Sequence, residues 1–296
     1  LIKGGSYFST GNSALKDSRY AFRRHFFQHA GFRYVEGEEP IITTSNPYET
    51  DEQVSQYIEF HFGSDYHGVP NFAGTCGQLC LKYFAEATEK KQSRRALDLG
   101  CAIGRTSFEL AREFDHVDGI DFSARFVSAA TQLKENDSKR YTIRDEGDLF
   151  SFKETSLAEH GLADTAHKCD FWQGDACNLS DKFNNYDLVF AGNLIDRLYE
   201  PEKFVSRIHE LINEDGLLVI TSPYTWLSEF TEPENWIGGY KRDGENFTTL
   251  DGLKELLAPH FDLVDEPRDV PFVIRETARK FQHSIAQMSV WHKRAK

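Results

Sequence analysis

The stretch ALDLGCAIGR, residues 96–105, decides how the rest of the chain is read. Ala96-Leu97-Asp98-Leu99 is a short apolar run carrying one acid. Gly100 and Gly104 then bracket a turn before Arg105 opens an amphipathic pattern that lasts to Phe114. A strand that ends in a glycine turn and feeds a helix brings backbone close to a ligand and aims a helix N-terminus at it. By itself such a turn also suits dinucleotide and nucleotide folds. Two further acids narrow the choice. Asp121 ends a second apolar run, Val117–Asp121, where a carboxylate can accept both hydroxyls of a ribose. Gly174-Asp175-Ala176 follows a third, Cys169–Gln173, where an acid and a backbone N–H can read an adenine edge. Three acids in register at successive strand ends outweigh their reading as ordinary strand-end caps.

Outward from this core the pattern repeats. A helix over Ser123–Lys134, strands at Tyr186–Ala191 and Leu217–Thr221, and a helix over Glu202–Ile212 continue the alternation, which implies a parallel sheet. Residues 138–168 are too long for an ordinary connection and read as an inserted hairpin plus a short helix. Phe261–Leu263 and the pair Phe272–Arg275 and Ser284–Trp291 suggest an antiparallel edge. Upstream, Val54, Ile58 and Phe62 recur every four residues with Tyr57 and His61 alongside, the spacing of a helix. A second helix is expected from the N-cap Asn71 to Thr88, burying Leu79, Tyr83 and Phe84.

Composition sets the class. With 40% hydrophobic and 27% charged residues the chain reads as globular, and no apolar run reaches the length of a membrane span. A net charge of −13 argues against a nucleic-acid partner. Five cysteines without paired CxxC spacing read as reduced thiols of a cytoplasmic protein, with Cys76 and Cys80 packed rather than metal-binding. LIKGGSYFST lacks the basic-then-apolar order of a signal peptide. Met288 is the only methionine, so residue 1 is not a translational start and the chain reads as part of something longer. Residues 1–36, with RYAFRRHFFQHAGFRYV, hold too much aromatic surface to bury alone, and EGEEPIITTSNP follows as a linker.

In an open parallel sheet, ligands gather beyond the carboxyl ends of the strands. The fourth strand runs into Asn193-Leu194-Ile195-Asp196-Arg197, the fifth into Ser222-Pro223-Tyr224, and the final hairpin carries Arg275-Glu276-Thr277-Ala278-Arg279. Amide, carboxylate, guanidinium and phenol groups together can hold a zwitterionic amino acid beside a flat ring. Arg275 and Arg279 read equally well as a solvated hairpin turn, and Asp196-Arg197 as a helix-start cap.

The residues from Asp98 to Gly104 resemble the first motif of class I methyltransferases, acid-x-Gly-x-Gly-x-Gly, with Ala102 in place of the middle glycine. The resemblance implies a Rossmann-like α/β fold with a mostly parallel seven-stranded sheet, an antiparallel C-terminal edge hairpin and an N-terminal helical cap. It implies S-adenosyl-L-methionine as cofactor. Asp98 would lie near the methionine ammonium and Gly100, Cys101, Ala102, Gly104 and Arg105 would form the turn around it. Asp121 would hold the ribose, Phe122 would pack on the adenine face, Asp175 and Ala176 would read the adenine edge, and Asn193 would sit near the methyl.

A longer set of segments is similar to the methyltransferase domain of ovothiol biosynthesis: YETDEQVSQYIEFHFG, GDACNLSDKF, NLIDRLYEPEKF, TEPENW and RDVPFVIRETARKFQHSIAQMSVW. This family methylates the imidazole of 5-thiohistidine. The likeness implies a methyltransferase domain over 48–296, a linker over 37–47, and in 1–36 the end of an iron-dependent sulfoxide synthase domain carried in cis. That synthase's iron ligands lie in segments not present, so no metal is assigned. Expected to hold the acceptor are Tyr48, Asn193, Asp196, Arg197, Tyr224, Arg275, Glu276 and Arg279, with Asn193, Asp196 and Tyr224 nearest the chemistry. Three rivals stand beside this reading: methylation of another small acceptor, a nicotinamide oxidoreductase, and a non-catalytic module that binds the cofactor.

Overall fold

The computed structural model describes residues 47–87 and 94–295, together with a short antiparallel pairing of Ile2–Lys3 with Arg19–Tyr20. The expectations for 1–36 and for most of the linker fall outside the described residues. At its centre is a sheet of parallel strands β1 (Arg95–Leu99), β2 (His116–Asp121), β5 (Cys169–Gln173), β6 (Tyr186–Gly192) and β7 (Ile212–Ser222). A hairpin of β3 (Ser138–Glu146) and β4 (Leu149–Ser156) stands apart from it, between β2 and β5 in sequence. After β7 come a small hairpin, β8 (Tyr240–Arg242) and β9 (Glu245–Phe247), and then β10 (Phe261–Leu263), β11 (Arg268–Arg275) and β12 (Phe281–Lys293). The spatial order is β10-β12-β7-β6-β1-β2-β5, with β11 also paired to β12. Both β12 pairings and its junction with β7 are antiparallel.

The seven-stranded expectation needs one correction. Eight strands fill seven positions, because β10 takes the last three residues of β12 and β11 takes Phe281–Met288 of the same edge. A long β12 leaves room for two short partners in one row.

Side chains alternate cleanly across the sheet, as the period of a strand demands. Ala96, Leu188, Phe190, Leu217 and Val219 enter the core shared with the N-terminal helices α1 (Asp51–Phe62) and α2 (Phe72–Ala87), α3 (Arg105–Leu110) and α4 (Ala124–Asn136). Leu97, Leu99, Val189, Ala191, Leu218 and Ile220 enter the opposite core, under α5 (Pro201–Arg207) and α6 (Thr249–Leu257). Strands buried on both faces are the mark of a sheet sandwiched by helices. Among the described residues no helix is long and apolar enough to cross a membrane.

The caps follow the sequence. Thr50 Oγ1 accepts from Gln53 N at 3.2 Å, Asn71 Oδ1 from Gly74 N at 2.9 Å and Ser123 Oγ from Phe126 N at 3.1 Å. On α2 Cys76, Cys80 and Phe84 are buried, while Leu79 and Tyr83 are half-buried. The helix is rotated slightly from the expected face. The helix expected over Glu202–Ile212 stops at Arg207, and a 3-10 turn leads into β7, which starts at Ile212 rather than Leu217. Asp215 at φ 60° forms the irregularity that lets a polar loop run into the strand.

Candidate active site

Every strand-end acid named from the sequence lies at the carboxyl edge of the parallel strands. The turn after β1 is tight: Gly100, Ala102 and Gly104 have φ of 74°, 45° and 83°. Ala102 therefore holds a left-handed conformation that is costly for a residue with a Cβ. Gly100 N and Cys101 N donate to Ile120 O at 2.8 and 3.1 Å, tying the turn to the end of β2. A Cβ at Gly104 would stand 2.6 Å from the Phe171 ring, and one at Gly100 3.3 Å from Leu194.

Asp121 is anchored by that turn. Its Oδ2 accepts Ala102 N at 2.9 Å and its Oδ1 accepts Ser123 N at 2.8 Å. Each oxygen keeps capacity for a further bond, which matches two vicinal hydroxyls. Burial pushes the Asp121 carboxyl up to about 6, with the Ser123 and Ala102 amides pulling the other way. Beside it Phe122 is 53% exposed, an open ring at a site that needs a stacking surface. Asp175 caps the 3-10 turn after β5, accepting Cys177 N at 2.9 Å and the Tyr199 hydroxyl at 2.8 Å. Ala176 follows it in that turn. These acceptors and the open Phe122 ring have the chemistry to fit an adenosine carried across the ends of β1, β2 and β5.

Asp98 lies deeper. It is 1% exposed and accepts the Ser107 hydroxyl at 2.6 Å. Burial raises its carboxyl to about 7. A raised acid favours the folded state most below its unfolded value of 3.8, and that advantage is lost as pH climbs to about 7. Asp98→Asn is therefore expected to raise the melting temperature at pH 8 and to leave it nearly unchanged at pH 4. Thermal unfolding at the two pH values reads this directly, and an equal shift at both would remove the explanation. Cys101 is buried next to this acid, and all five cysteines are buried free thiols.

Two sequence-predicted residues have other work. Arg105 pairs with Glu109 at 2.8 Å and lies 5.4 Å from the Phe62 ring centroid, so its guanidinium holds α3 against α1 rather than facing a cofactor. Asp196 is 1% exposed and filled with donors: Ser222 Oγ at 3.0 Å, Thr225 N at 3.1 Å, Thr225 Oγ1 at 3.0 Å and Arg197 Nη1 at 2.9 Å. A carboxylate so occupied positions the loops after β6 and β7.

The loops it joins are strained in the same way as the glycine turn. Asn193, directly after β6, and Tyr224, two residues after β7, have φ of 48° and 53°. Such conformations persist where surrounding contacts impose them, and they gather at functional sites. Asn193 N donates to Thr221 O at 2.8 Å, and Tyr224 Oη donates to Gln287 Oε1 at 3.1 Å. Arg197 spans both loops, donating to Thr225 O at 2.8 Å, and lies 5.1 Å over the Phe230 ring.

Tyr48 arrives here from the other end of the chain. Ser123 Oγ donates to its carbonyl at 3.0 Å, and its ring packs on Phe126 and Phe230 at 5.9 and 6.2 Å. Burial, with Asp121 nearby, holds its phenol above the usual range against the opposing charge of Arg197. Tyr57 and Phe230 complete the cluster and were not singled out from the sequence. Tyr57 showed only as a helix-face residue of α1, and Phe230 sits in an aromatic loop without periodicity.

The final hairpin does not share these partners. Arg275 Nη2 pairs with Asp145 at 2.5 Å, and its other nitrogens reach Tyr66 Oη at 3.5 Å and Thr277 O at 3.2 Å. Glu276 pairs with Lys280 and accepts Gln282 Nε2 at 2.6 Å, while Arg279 is exposed in the turn. Arg275 fastens the inserted β3–β4 hairpin to β11, and Glu276 and Arg279 lie in the turn that follows. Among the described residues no group of three or more metal-ligating side chains is placed to hold a metal.

Residues 90–248 match the family model described as a methyltransferase domain, more than half of the chain. Ajmaline N-methyltransferase of Rauvolfia serpentina is 28% identical over 145 residues, 49% of this chain and 40% of its own length. Phosphoethanolamine N-methyltransferase 2 of Caenorhabditis elegans is 26% identical over 145 residues, 48% of this chain and 26% of its own length. The chain thus spans less than half the length of these relatives. Among solved structures, magnesium protoporphyrin IX methyltransferase from Synechocystis PCC 6803 with bound SAM is 15% identical, covering 84% of this chain and 94% of that one at a TM-score of 0.49. With that family model covering the glycine turn and the strand-end acids, the chain belongs to the class I, S-adenosylmethionine-dependent methyltransferase family.

Proposed function

We propose that this chain methylates the imidazole ring of 5-thiohistidine at nitrogen, giving ovothiol A, within a cytoplasmic protein that carries a sulfoxide synthase domain in cis. The reading of 1–36 as the end of that domain, 37–47 as linker and 48–296 as methyltransferase belongs to this proposal. Its support is the run of motifs from Tyr48 to Trp291, and relatives whose names are those of N-methyltransferases. The observation that carries it is the meeting of Tyr48, Arg197 and Phe230 beside Asp121. A guanidinium, a phenol and an aromatic face suit a flat ring bearing a carboxylate.

S-adenosylmethionine supplies an electrophilic methyl on a sulfonium, and displacement by a nitrogen lone pair depends chiefly on placement. Burial pushes the phenols of Tyr48 and Tyr224 up, so both stay protonated: Tyr48 can orient the acceptor as a donor, while Tyr224, which donates to Gln287, can only accept from it. The thiolate of the acceptor keeps its ring electron-rich, which lessens the need for a strong base. Arg197, rather than Arg275, is the candidate for the acceptor's carboxylate.

Arg275→Ala is accordingly expected to lower stability by about 1–2 kcal/mol through the lost Asp145 pair, and to leave the Kd of S-adenosylhomocysteine unchanged. Thermal unfolding and calorimetric titration check both halves. The function itself is tested by incubating the protein with 5-thiohistidine and S-adenosylmethionine and locating the new methyl by NMR. A ring N-methyl product supports the reading, while an S-methyl product or no product sinks it.

A further inference from the structure

His61 is a buried histidine that none of the steps above uses, and it lies against the end of the glycine turn. Its Nδ1 accepts the Arg105 amide at 3.4 Å, directly after Gly104. An N–H donates only to an unprotonated nitrogen, so the ring carries its proton on Nε2. Burial and the Arg105 charge push His61 down to about 3, which keeps the ring neutral. Its place on α1 is fixed from two sides. Asn71 Nδ2 donates to the His61 carbonyl at 3.1 Å, and two residues earlier Glu59 accepts the Tyr141 hydroxyl at 2.6 Å and Lys153 Nζ at 2.8 Å. The Nε2–H has no partner among the described residues, and a buried donor without one calls for an occupant.

The turn itself has little to offer a carboxylate. The N–H groups of Gly100, Cys101, Ala102 and Gly104 donate to Ile120 O, Asp121 Oδ2 and Cys101 O, and that of Arg105 to His61. The side chains that follow are committed too: Arg105 to Glu109, Thr106 Oγ1 to Ala73 O at 3.1 Å, and Ser107 Oγ to Asp98 at 2.6 Å. The amino-acid end of S-adenosylmethionine, expected along this turn, brings an ammonium for Asp98 and a carboxylate that needs a donor. We propose that His61 is a cofactor-binding residue whose Nε2–H holds that carboxylate and so sets where the sulfonium methyl stands. An in-line transfer depends on that placement. The inference concerns the cofactor alone and is independent of the acceptor.

The test is calorimetric titration of the full chain with S-adenosylhomocysteine and with its decarboxylated analogue, which lacks only that carboxylate. Wild-type protein is expected to bind S-adenosylhomocysteine about tenfold or more tightly than the analogue, as a hydrogen bond to a charged group implies. His61→Phe keeps a ring and removes the donor, so it should bind the two alike, with the analogue held as in wild type. His61→Gln keeps an N–H at similar reach and should retain most of the preference. A His61→Phe variant that still prefers S-adenosylhomocysteine overturns the proposal. So does an equal loss for both ligands, which marks a purely structural histidine. Nitrogen NMR of the imidazole side chains in wild-type protein decides the matter even where His61→Phe fails to fold. The His61 Nε2–H signal should shift with S-adenosylhomocysteine and far less with the analogue, and equal shifts contradict the assignment.

Discussion

Asp121→Ala is expected to weaken S-adenosylmethionine binding by about 100-fold, the largest effect of any single side-chain truncation at this site. Its two oxygens hold the Ala102 and Ser123 amides and have room for one ribose hydroxyl each. Hydrogen bonds to a charged group contribute about 1.5–3 kcal/mol, so losing two is worth on the order of 3 kcal/mol or more. Asp121→Asn keeps the shape and one good acceptor, and about a tenfold loss is expected. The sign of the pH effect follows from burial. With its carboxyl pushed up to about 6, Asp121 gains a proton as pH falls below that value and accepts hydroxyls less well. Wild-type affinity should therefore drop between pH 7 and pH 5, while that of Asp121→Asn stays flat. Titration at both pH values separates a charged acceptor from a purely structural acid, for which the wild-type curve would also be flat.

Gly104→Ala should be the most damaging change to the fold. At φ 83° an added Cβ costs roughly 1–2 kcal/mol for handedness alone. The same atom would stand 2.6 Å from Phe171, and overpacking of a filled core adds roughly 1–3 kcal/mol. The sum, about 2–5 kcal/mol, is a large part of a domain's stability and corresponds to a fall of about 5–15 °C. Gly147→Ala is the control: it too has positive φ, at 53°, but nothing lies within 4 Å of its Cβ. Only the handedness cost should appear there. Adding Phe171→Leu to Gly104→Ala should recover part of the loss. If Gly104→Ala and Gly147→Ala melt alike, contact with Phe171 is not what excludes a side chain.

The parallel strands were readable because the four inner ones are buried on both faces and each ends in a polar or glycine signal. Leu97, Leu99, Val117 and Ile120 leave little ambiguity, and Asp98, Asp121 and Asp175 punctuate them. Tertiary partners of charged residues were not readable. Arg275 is 130 positions from Asp145 and 209 from Tyr66, and a hairpin arginine looks the same whether it faces a ligand or an ion pair. Asp196 drew notice as an acid at a strand end, but only the fold shows that Ser222 and Thr225 return to saturate it. The segment after Tyr224 carried signals that went unread. Asp243-Gly244 makes the turn of the β8–β9 hairpin with φ of 56° and 87°, and Thr248 with Asp251 forms the capping box of α6.

The place proposed for the methyl donor is bounded by the glycine turn and by Asp121 and Asp175, near Tyr48 and Arg197. A crystal structure of the chain with S-adenosylhomocysteine tests this most directly. It should show both ribose hydroxyls on Asp121, the adenine between Phe122 and the Asp175 turn, and the homocysteine along Gly100–Gly104 with its sulfur facing Arg197. Ligand bound elsewhere, or a ribose that makes no contact with Asp121, would contradict the account.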